Sequence, residues 1–165
     1  MMRLIYKILF VLILLPVFSG CNDTDDVAAI FTGKTWKLTM IAKDGESKMF
    51  NFWGGNTDAR EKSFEKLNLK GTFTVKFEGL VEGDVIQGKV SGATITSNLE
   101  GSWSANAKNN GFNATVNGKD DSDALARNFL EGLNNAASYQ GDENNLYLIY
   151  KNQLGSFRMF FRAVK

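Results

Sequence analysis

The chain of 165 residues contains no histidine, one cysteine and one proline. Without histidine it lacks the commonest general base, metal ligand and pH switch. Ser-His-Asp and Cys-His hydrolysis are thereby excluded, as are His-based zinc and haem sites. Cys21 has no second cysteine to pair with, so the folded domain holds no disulfide. Pro16 lies in an apolar run near the start, so every turn after it must come from glycine, asparagine or aspartate. Nor does one sign of charge dominate: 19 basic residues stand against 18 acidic ones. That balance argues against a nucleic-acid partner, which needs a basic face. No Lys/Arg cluster of the kind that binds anionic lipid is present either.

What the chain does have begins with a leader. Arg3 and Lys7 precede an apolar run from Ile8 to Phe18, too short for a comfortable membrane span. Ser19-Gly20-Cys21 closes the run and resembles the lipobox of bacterial lipoproteins. The resemblance implies a signal peptide over 1–20, cleavage between Gly20 and Cys21, and acylation of Cys21 by diacylglyceryl and palmitate-type chains. Two such chains hold a protein stably at a membrane, whereas one does not. The expected location is the cell envelope, with the outer membrane as the partner reached through Cys21. Loss of Arg3 and Lys7 with the leader tips the net charge from +1 to −1. Residues 21–32, with Asn22-Asp-Thr-Asp-Asp26, read as an acidic tether. Those aspartates resemble the surface-export signal of Bacteroidota lipoproteins, and a solvated spacer accounts for them equally well. Cell exterior and periplasm both remain open.

Residues 33–165 form one domain, with no linker or repeat to divide them. Thr35–Met40 alternates polar and apolar, placing Trp36, Leu38 and Met40 inward on a strand. Met49–Trp53 is a second apolar patch, ending at Gly54-Gly55. Asp58–Leu67 suits a short helix that buries Phe64 and Leu67, and Phe73, Val75 and Phe77 share one face of the next strand. From Asp84 to Asn117 a meander of short strands is punctuated by Gly88, Gly92, Gly101 and Gly111. Asn110-Gly111 signals a type I′ hairpin. Ser122–Ala137 is an amphipathic helix, with Leu125, Phe129, Leu130, Leu133 and Ala137 on one face and Asp120, Asp121 and Asp123 at its start. Leu146–Lys151 and Phe157–Val164 close the chain as a hairpin. Alternation without long apolar runs implies an antiparallel sheet buried on one face, and seven or eight such strands curl into a barrel or sandwich. The fold class is thus mainly β with one covering helix.

Three segments carry a family resemblance. Gly33-Lys-Thr-Trp36-Lys-Leu38 resembles the G-x-W-x-L opening strand of lipocalin-like and META-type domains. Gly88–Gly92 with Leu99-Glu-Gly101-Ser-Trp103 resembles their central meander. Phe129-Leu130-Glu-Gly-Leu133, Tyr139, Leu146-Tyr-Leu148 and Phe160-Phe161 resemble their helix and closing hairpin. The chain looks most like a small family of lipocalin-like lipoproteins of gut Bacteroidota, a domain of unknown function. Ser91-Gly92-Ala93 stands where META domains often carry Gly-Cys-Asn, and no functional residue carries over. The resemblance implies an antiparallel lipocalin-like or META-like barrel or curled sheet.

Candidate chemistry is sparse. Phe50, Phe52 and Trp53 are the candidate ligand-binding residues, since aromatic faces stack on sugar rings and apolar ligands. Core filling is the competing account of Phe50 and Phe52, and Trp53 falls on the opposite parity of a regular strand. Trp36 and Trp103 suit the core. Asn117–Asp123 is rich in oxygen ligands but lacks EF-hand spacing, and a helix N-cap explains its aspartates without Ca²⁺. Glu78, Glu82, Asp84 and Glu100 would have to converge as a facing pair to support glycoside hydrolysis. Arg158 and Arg162 share a strand face opposite Phe157, Met159 and Phe161. No catalytic residue, metal ligand or cofactor is expected. The expected function is non-enzymatic binding of a glycan, lipid or protein at the cell surface, through the barrel mouth or the loop aromatics. The rivals are an envelope-maintenance or assembly subunit acting by protein contact and a small carboxylate-dependent glycan hydrolase. If the lipobox operates, Cys21→Ala releases the protein from the membrane fraction or leaves an unprocessed precursor. Mature variant still fractionating with membranes would place the anchor elsewhere.

Overall fold

The computed structural model describes residues 24–119 and 121–164. The leader, the lipobox with Gly20 and Cys21, and Asp120 lie outside the described residues. Eight antiparallel strands close into a barrel in sequence order: β1 (Thr35–Lys43), β2 (Thr74–Glu82), β3 (Val85–Ala93), β4 (Asn98–Asn106), β5 (Gly111–Asn117), β6 (Ala136–Gly141), β7 (Asn145–Asn152) and β8 (Gly155–Val164). The last strand returns to the first, pairing Thr35 with Val164 and Lys43 with Phe157. Closure removes both sheet edges, which would otherwise be templates for strand addition. Among the described residues three helices accompany the barrel: α1 (Thr24–Phe31), α2 (Thr57–Leu67) and α3 (Ala124–Asn135).

In an up-and-down barrel the connections alternate between ends. One end, the lid end, carries the long β1–β2 connection with α2, the β3–β4 turn, α3 and the β7–β8 turn. The other, the plug end, carries α1, the β2–β3, β4–β5 and β6–β7 turns, and the end of β8. The plug is Phe31, which is fully buried and touches rings from four strands. Its centroid lies 5.2 Å from Phe77, 4.8 Å from Trp103, 5.6 Å from Phe112 and 5.0 Å from Tyr139. At the lid end Phe129 of α3 meets Phe73 at 5.7 Å and Phe161 at 6.2 Å. Leu125 and Leu133 are buried beside it. The barrel is thus filled from both ends by rings and aliphatic side chains, with Trp36 and Trp103 in the core as expected.

The segment 21–32 is not a tether throughout. From Thr24 it is helical, and Val27, Ile30 and Phe31 recur at i, i+3 and i+4 to give a buried face. The domain therefore begins with α1 rather than at residue 33. Met40 is not inward either. A register shift between Leu38 and Met40 in the β1–β8 pairing turns the strand, so Ile41 and Ala42 are buried instead. Helix α2 buries Leu67 as expected, but Ser63 rather than Phe64 is its other buried residue.

Gly88, Gly92 and Gly101 do not separate strands. They lie inside β3 and β4, at inward positions where strands approach too closely for a side chain. A Cβ at Gly88 would sit 2.1 Å from the Glu78 carbonyl oxygen, and one at Gly101 would sit 1.9 Å from that of Thr115. The indole of Trp103 occupies the space left free. Its ring lies 3.3 Å from where a Gly79 Cβ would be, and its Nε1 donates to the Glu78 carbonyl at 3.1 Å. The β4–β5 hairpin forms, but through the four-residue turn 107–110, in which Asn110 takes φ 53. A type I′ turn is not used, because the Asn106 carboxamide accepts from Lys108 N and Asn109 N and stabilises the longer loop.

Pairing around the barrel is uneven. Strands β5 and β6 share only Gly111 opposite Ser138, beside a bond from Tyr139 N to Asn110 O. Farther up β5 a side chain replaces the missing strand. The Asn134 carboxamide of α3 accepts from Val116 N at 2.8 Å and donates to Val116 O at 3.0 Å. Overpacking a site that cannot relax costs about 1–3 kcal/mol. Gly88→Ala is expected to lose that much in denaturant unfolding. Gly55→Ala, where no atom lies within 4 Å of the new methyl, is expected to lose none.

Candidate functional site

The lid end gathers the surface features. Asn51 accepts from Trp53 N through Oδ1 and donates to the Gly54 carbonyl at 2.7 Å, forming a tight turn that Gly54 completes with φ +63. The segment is therefore not a regular strand, and the parity argument for Trp53 fails. Trp53 is only 9% exposed and packs on Phe64 of α2 at 5.6 Å. Phe50 and Phe52 are the half-buried pair, 4.9 Å apart and lying over Phe157 at 5.1 and 6.0 Å. The Lys43 ammonium stands 5.5 Å from the Phe50 ring. Of the three expected ligand-binding residues, Phe50 and Phe52 retain exposed surface, while Trp53 serves packing.

Trp53 also begins a polar chain that sequence reading missed. Its Nε1 donates to Ser63 Oγ at 2.8 Å, and Ser63 Oγ donates to Asp123 Oδ2 at 2.5 Å. Asp123 is the N-cap of α3, accepting from Ala126 N at 3.0 Å. Its own N–H donates to Asp121 Oδ1, and Asp121 Oδ2 accepts from Thr96 Oγ1 at 2.9 Å. Asp121, Thr94 and Ser63 are the buried polar side chains among the described residues, and all three belong to this neighbourhood. The chain ties the aromatic turn, α2, α3 and the β3–β4 turn into one lid. Of the three aspartates expected to cap the helix, Asp123 does so and Asp121 holds the β3–β4 turn instead. Among the described residues no group of three or more acidic or sulfur side chains converges as a metal site.

Three open hollows run across the outside of this lid. The first, about 490 Å³, lies between the β3–β4 turn and the end of β5, among Thr96, Ser97, Asn98, Glu100, Asn117 and Lys119. The second, about 360 Å³, reaches from Lys119 and Asp121 along α3 past Arg127 and Asn128 to Glu131. The third, about 550 Å³, continues from Asn128 and Glu131 to Asn152, Gln153 and Leu154. They share Lys119 on one side and Asn128 with Glu131 on the other, so they form one band rich in carboxamides and hydroxyls.

The remaining charged residues are dispersed. Glu78 lies opposite Lys89 and Glu100 opposite Ser91, with β3 between the two carboxylates. A hydrogen bond and the charge of Lys76 hold the Glu78 carboxyl below its usual range, the wrong direction for a general acid. Glu82 accepts from Gln87, and Asp84 pairs with Lys108 at 2.6 Å. Arg158 is engaged by Asp44 through two hydrogen bonds, while Phe157, Met159 and Phe161 point inward as expected. Lys37 Nζ donates to the carbonyls of Leu69 and Thr72, and burial brings its pKa down to about 8. Burial likewise raises the Tyr150 phenol, whose hydroxyl has no hydrogen-bond partner among the described residues.

A family profile described as a domain of unknown function, DUF4847, matches residues 22–163. The chain belongs to the DUF4847 family. The crystal structure of a DUF4847 family protein from Bacteroides vulgatus ATCC 8482 is similar to it, with a TM-score of 0.60 and 25% sequence identity. That similarity covers 82% of this chain and 96% of that chain. No curated protein matches the chain. The DUF4847 match takes in α1, in keeping with the burial of Phe31 inside the barrel. Leaving a buried donor unpaired costs about 1–3 kcal/mol. Ser63→Ala strands the Trp53 indole N–H and is expected to lower unfolding stability by that amount. Unchanged stability would show the lid is held by ring packing alone.

Proposed function

We propose that this DUF4847 domain is a non-enzymatic binding module held at the outer membrane by acyl chains on Cys21. It engages a glycan, lipid or protein through the outer surface of its lid end. The observation that carries this reading is the filled interior. Trp36, Phe73, Phe77, Trp103, Phe129, Tyr139, Tyr150 and Phe161 occupy the space where a lipocalin-like barrel would take a ligand. Recognition through the barrel mouth is therefore set aside. The lid end offers the Phe50 and Phe52 rings and, elsewhere on its outer surface, a band of carboxamides and hydroxyls, groups that stack on rings and hydrogen-bond to polyols.

The openness of the three hollows favours a second reading, an assembly or envelope-maintenance subunit whose partner is a protein surface. Shallow polar hollows without a deep apolar slot suit a broad contact better than an enclosed small molecule. A small glycan hydrolase needs two facing carboxylates, and the strand carboxylates are held apart or paired with neighbours.

Glycan and lipid panels with the purified protein distinguish these readings. Binding to a panel member, weakened at least about tenfold by Phe50→Ser with Phe52→Ser in a variant that still unfolds cooperatively above the assay temperature, is expected for a hot-spot pair. Hydrolytic turnover of a panel member would overturn the proposal. Hydrogen-exchange protection of residues 49–53 by a co-purified envelope protein, without panel binding, would establish the second reading in its place.

A further inference from the structure

We propose that the exposed apolar end of β2, Leu80 and Val81 just behind the β2–β3 turn, contacts lipid and seats the plug end of the barrel on the bilayer. The proposal rests on the acyl-anchor reading of Cys21. Cys21 lies three residues ahead of Thr24, so at ~3.3–3.6 Å per residue about 10 Å of chain joins the anchor to α1. Helix α1 packs against β2 and β3, the strands whose tip projects at the same end. The anchor is therefore within about 10 Å of the start of α1, the helix packed against that hairpin.

The turn itself, Glu82-Gly83-Asp84, is acidic, and the apolar surface lies just behind it at the end of β2. Leu80 is 77% exposed, more than any other large apolar side chain among the described residues, and Val81 beside it is 44% exposed. Successive strand residues point to opposite faces, so the pair puts apolar surface on both sides of the ribbon. Val164, 44% exposed, ends β8 at the same end of the barrel. The other exposed large apolar residues, Leu69 and Leu154, stand singly on separate connections at the lid end.

The two carboxylates of the turn do not supply the contact. Glu82 accepts from Gln87 Nε2 at 2.8 Å, and Asp84 is paired with Lys108 at 2.6 Å. Neither is basic, so attraction to anionic headgroups is not the source of binding, and the seat should persist in high salt. The acyl chains provide attachment and the hairpin provides orientation. A rigid barrel resting on this tip turns its lid end, with Phe50, Phe52 and the polar band, away from the membrane.

The test uses the full lipidated protein in vesicles of phosphatidylethanolamine and phosphatidylglycerol containing dibrominated phosphatidylcholine. Acylated Cys21 leaves no free thiol, so Glu82→Cys and Gln153→Cys each provide one labelling position, at opposite ends of the barrel. A dye at position 82 is expected to be quenched at least about twofold more than one at 153, as an interfacial contact ~5–10 Å deep requires. Leu80→Thr with Val81→Thr keeps strand-forming side chains and is expected to abolish the difference, at unchanged melting temperature and with the protein still on the vesicles. Equal quenching at both positions in vesicle-bound protein would overturn the hairpin seat and leave the anchor standing. Failure of the protein to bind vesicles, with an unmodified Cys21 in its mass spectrum, would overturn the anchor and the seat together.

Discussion

Filling the inside of a small closed barrel is the constraint on which the rest of this structure depends. Eight strands leave an interior just wide enough for side chains. Here the filling is largely aromatic, and its central piece comes from outside the sheet. Phe31 of α1 touches rings on β2, β4, β5 and β6, so the helix that precedes the barrel is part of its core. Large rings need room on one side and close strand approach on the other. The inward glycines of β3 and β4 provide the approach, and Trp103, paired with Gly88, covers Gly79. Ring and glycine are two halves of one packing solution.

The same constraint explains where chemistry can and cannot lie. A filled interior leaves no room for an enclosed ligand, so polar residues that matter must sit on the outside or in the lid. The lid holds the buried Ser63, Thr94 and Asp121 in hydrogen bonds that join elements far apart in sequence. Such a network costs free energy unless each member is satisfied, which favours a single arrangement of the aromatic turn, α2 and α3. Phe73 adds to this rigidity. It holds φ 50, an unfavourable backbone for an aromatic residue, while its carbonyl accepts from Leu38 N and its ring packs on Phe129.

Much of the barrel was legible in the sequence because period-two alternation is a direct consequence of one buried face. Phe73, Val75 and Phe77 read correctly, as did the closing hairpin and Leu125, Phe129 and Leu133 on the face of α3, but that helix stops at Asn135 and Ala137 stands exposed in β6. Errors arose where a local device overrides the period. A register shift after Leu38 exchanged Met40 for Ile41, and an Asn51–Gly54 turn sent Trp53 inward. Helix α1 was hidden by its acidic composition, although Val27, Ile30 and Phe31 carried helical spacing in plain view. Ser63 left no signal at all, since a serine among charged helix residues acquires its role only when Trp53 and Asp123 arrive from elsewhere. Chemistry dispersed over three elements has no local spacing to detect.

The seam between β5 and β6 has a mechanical consequence. Everywhere else strands are zipped by several backbone pairs, but here the sheet hangs on Gly111 opposite Ser138, a bond at Asn110, and the Asn134 carboxamide. A ring of bonds under thermal strain opens first at its thinnest place, and local opening free energies follow such differences. Because α3 carries the carboxamide and also one wall of the polar band, an opening of this seam would displace that wall with it.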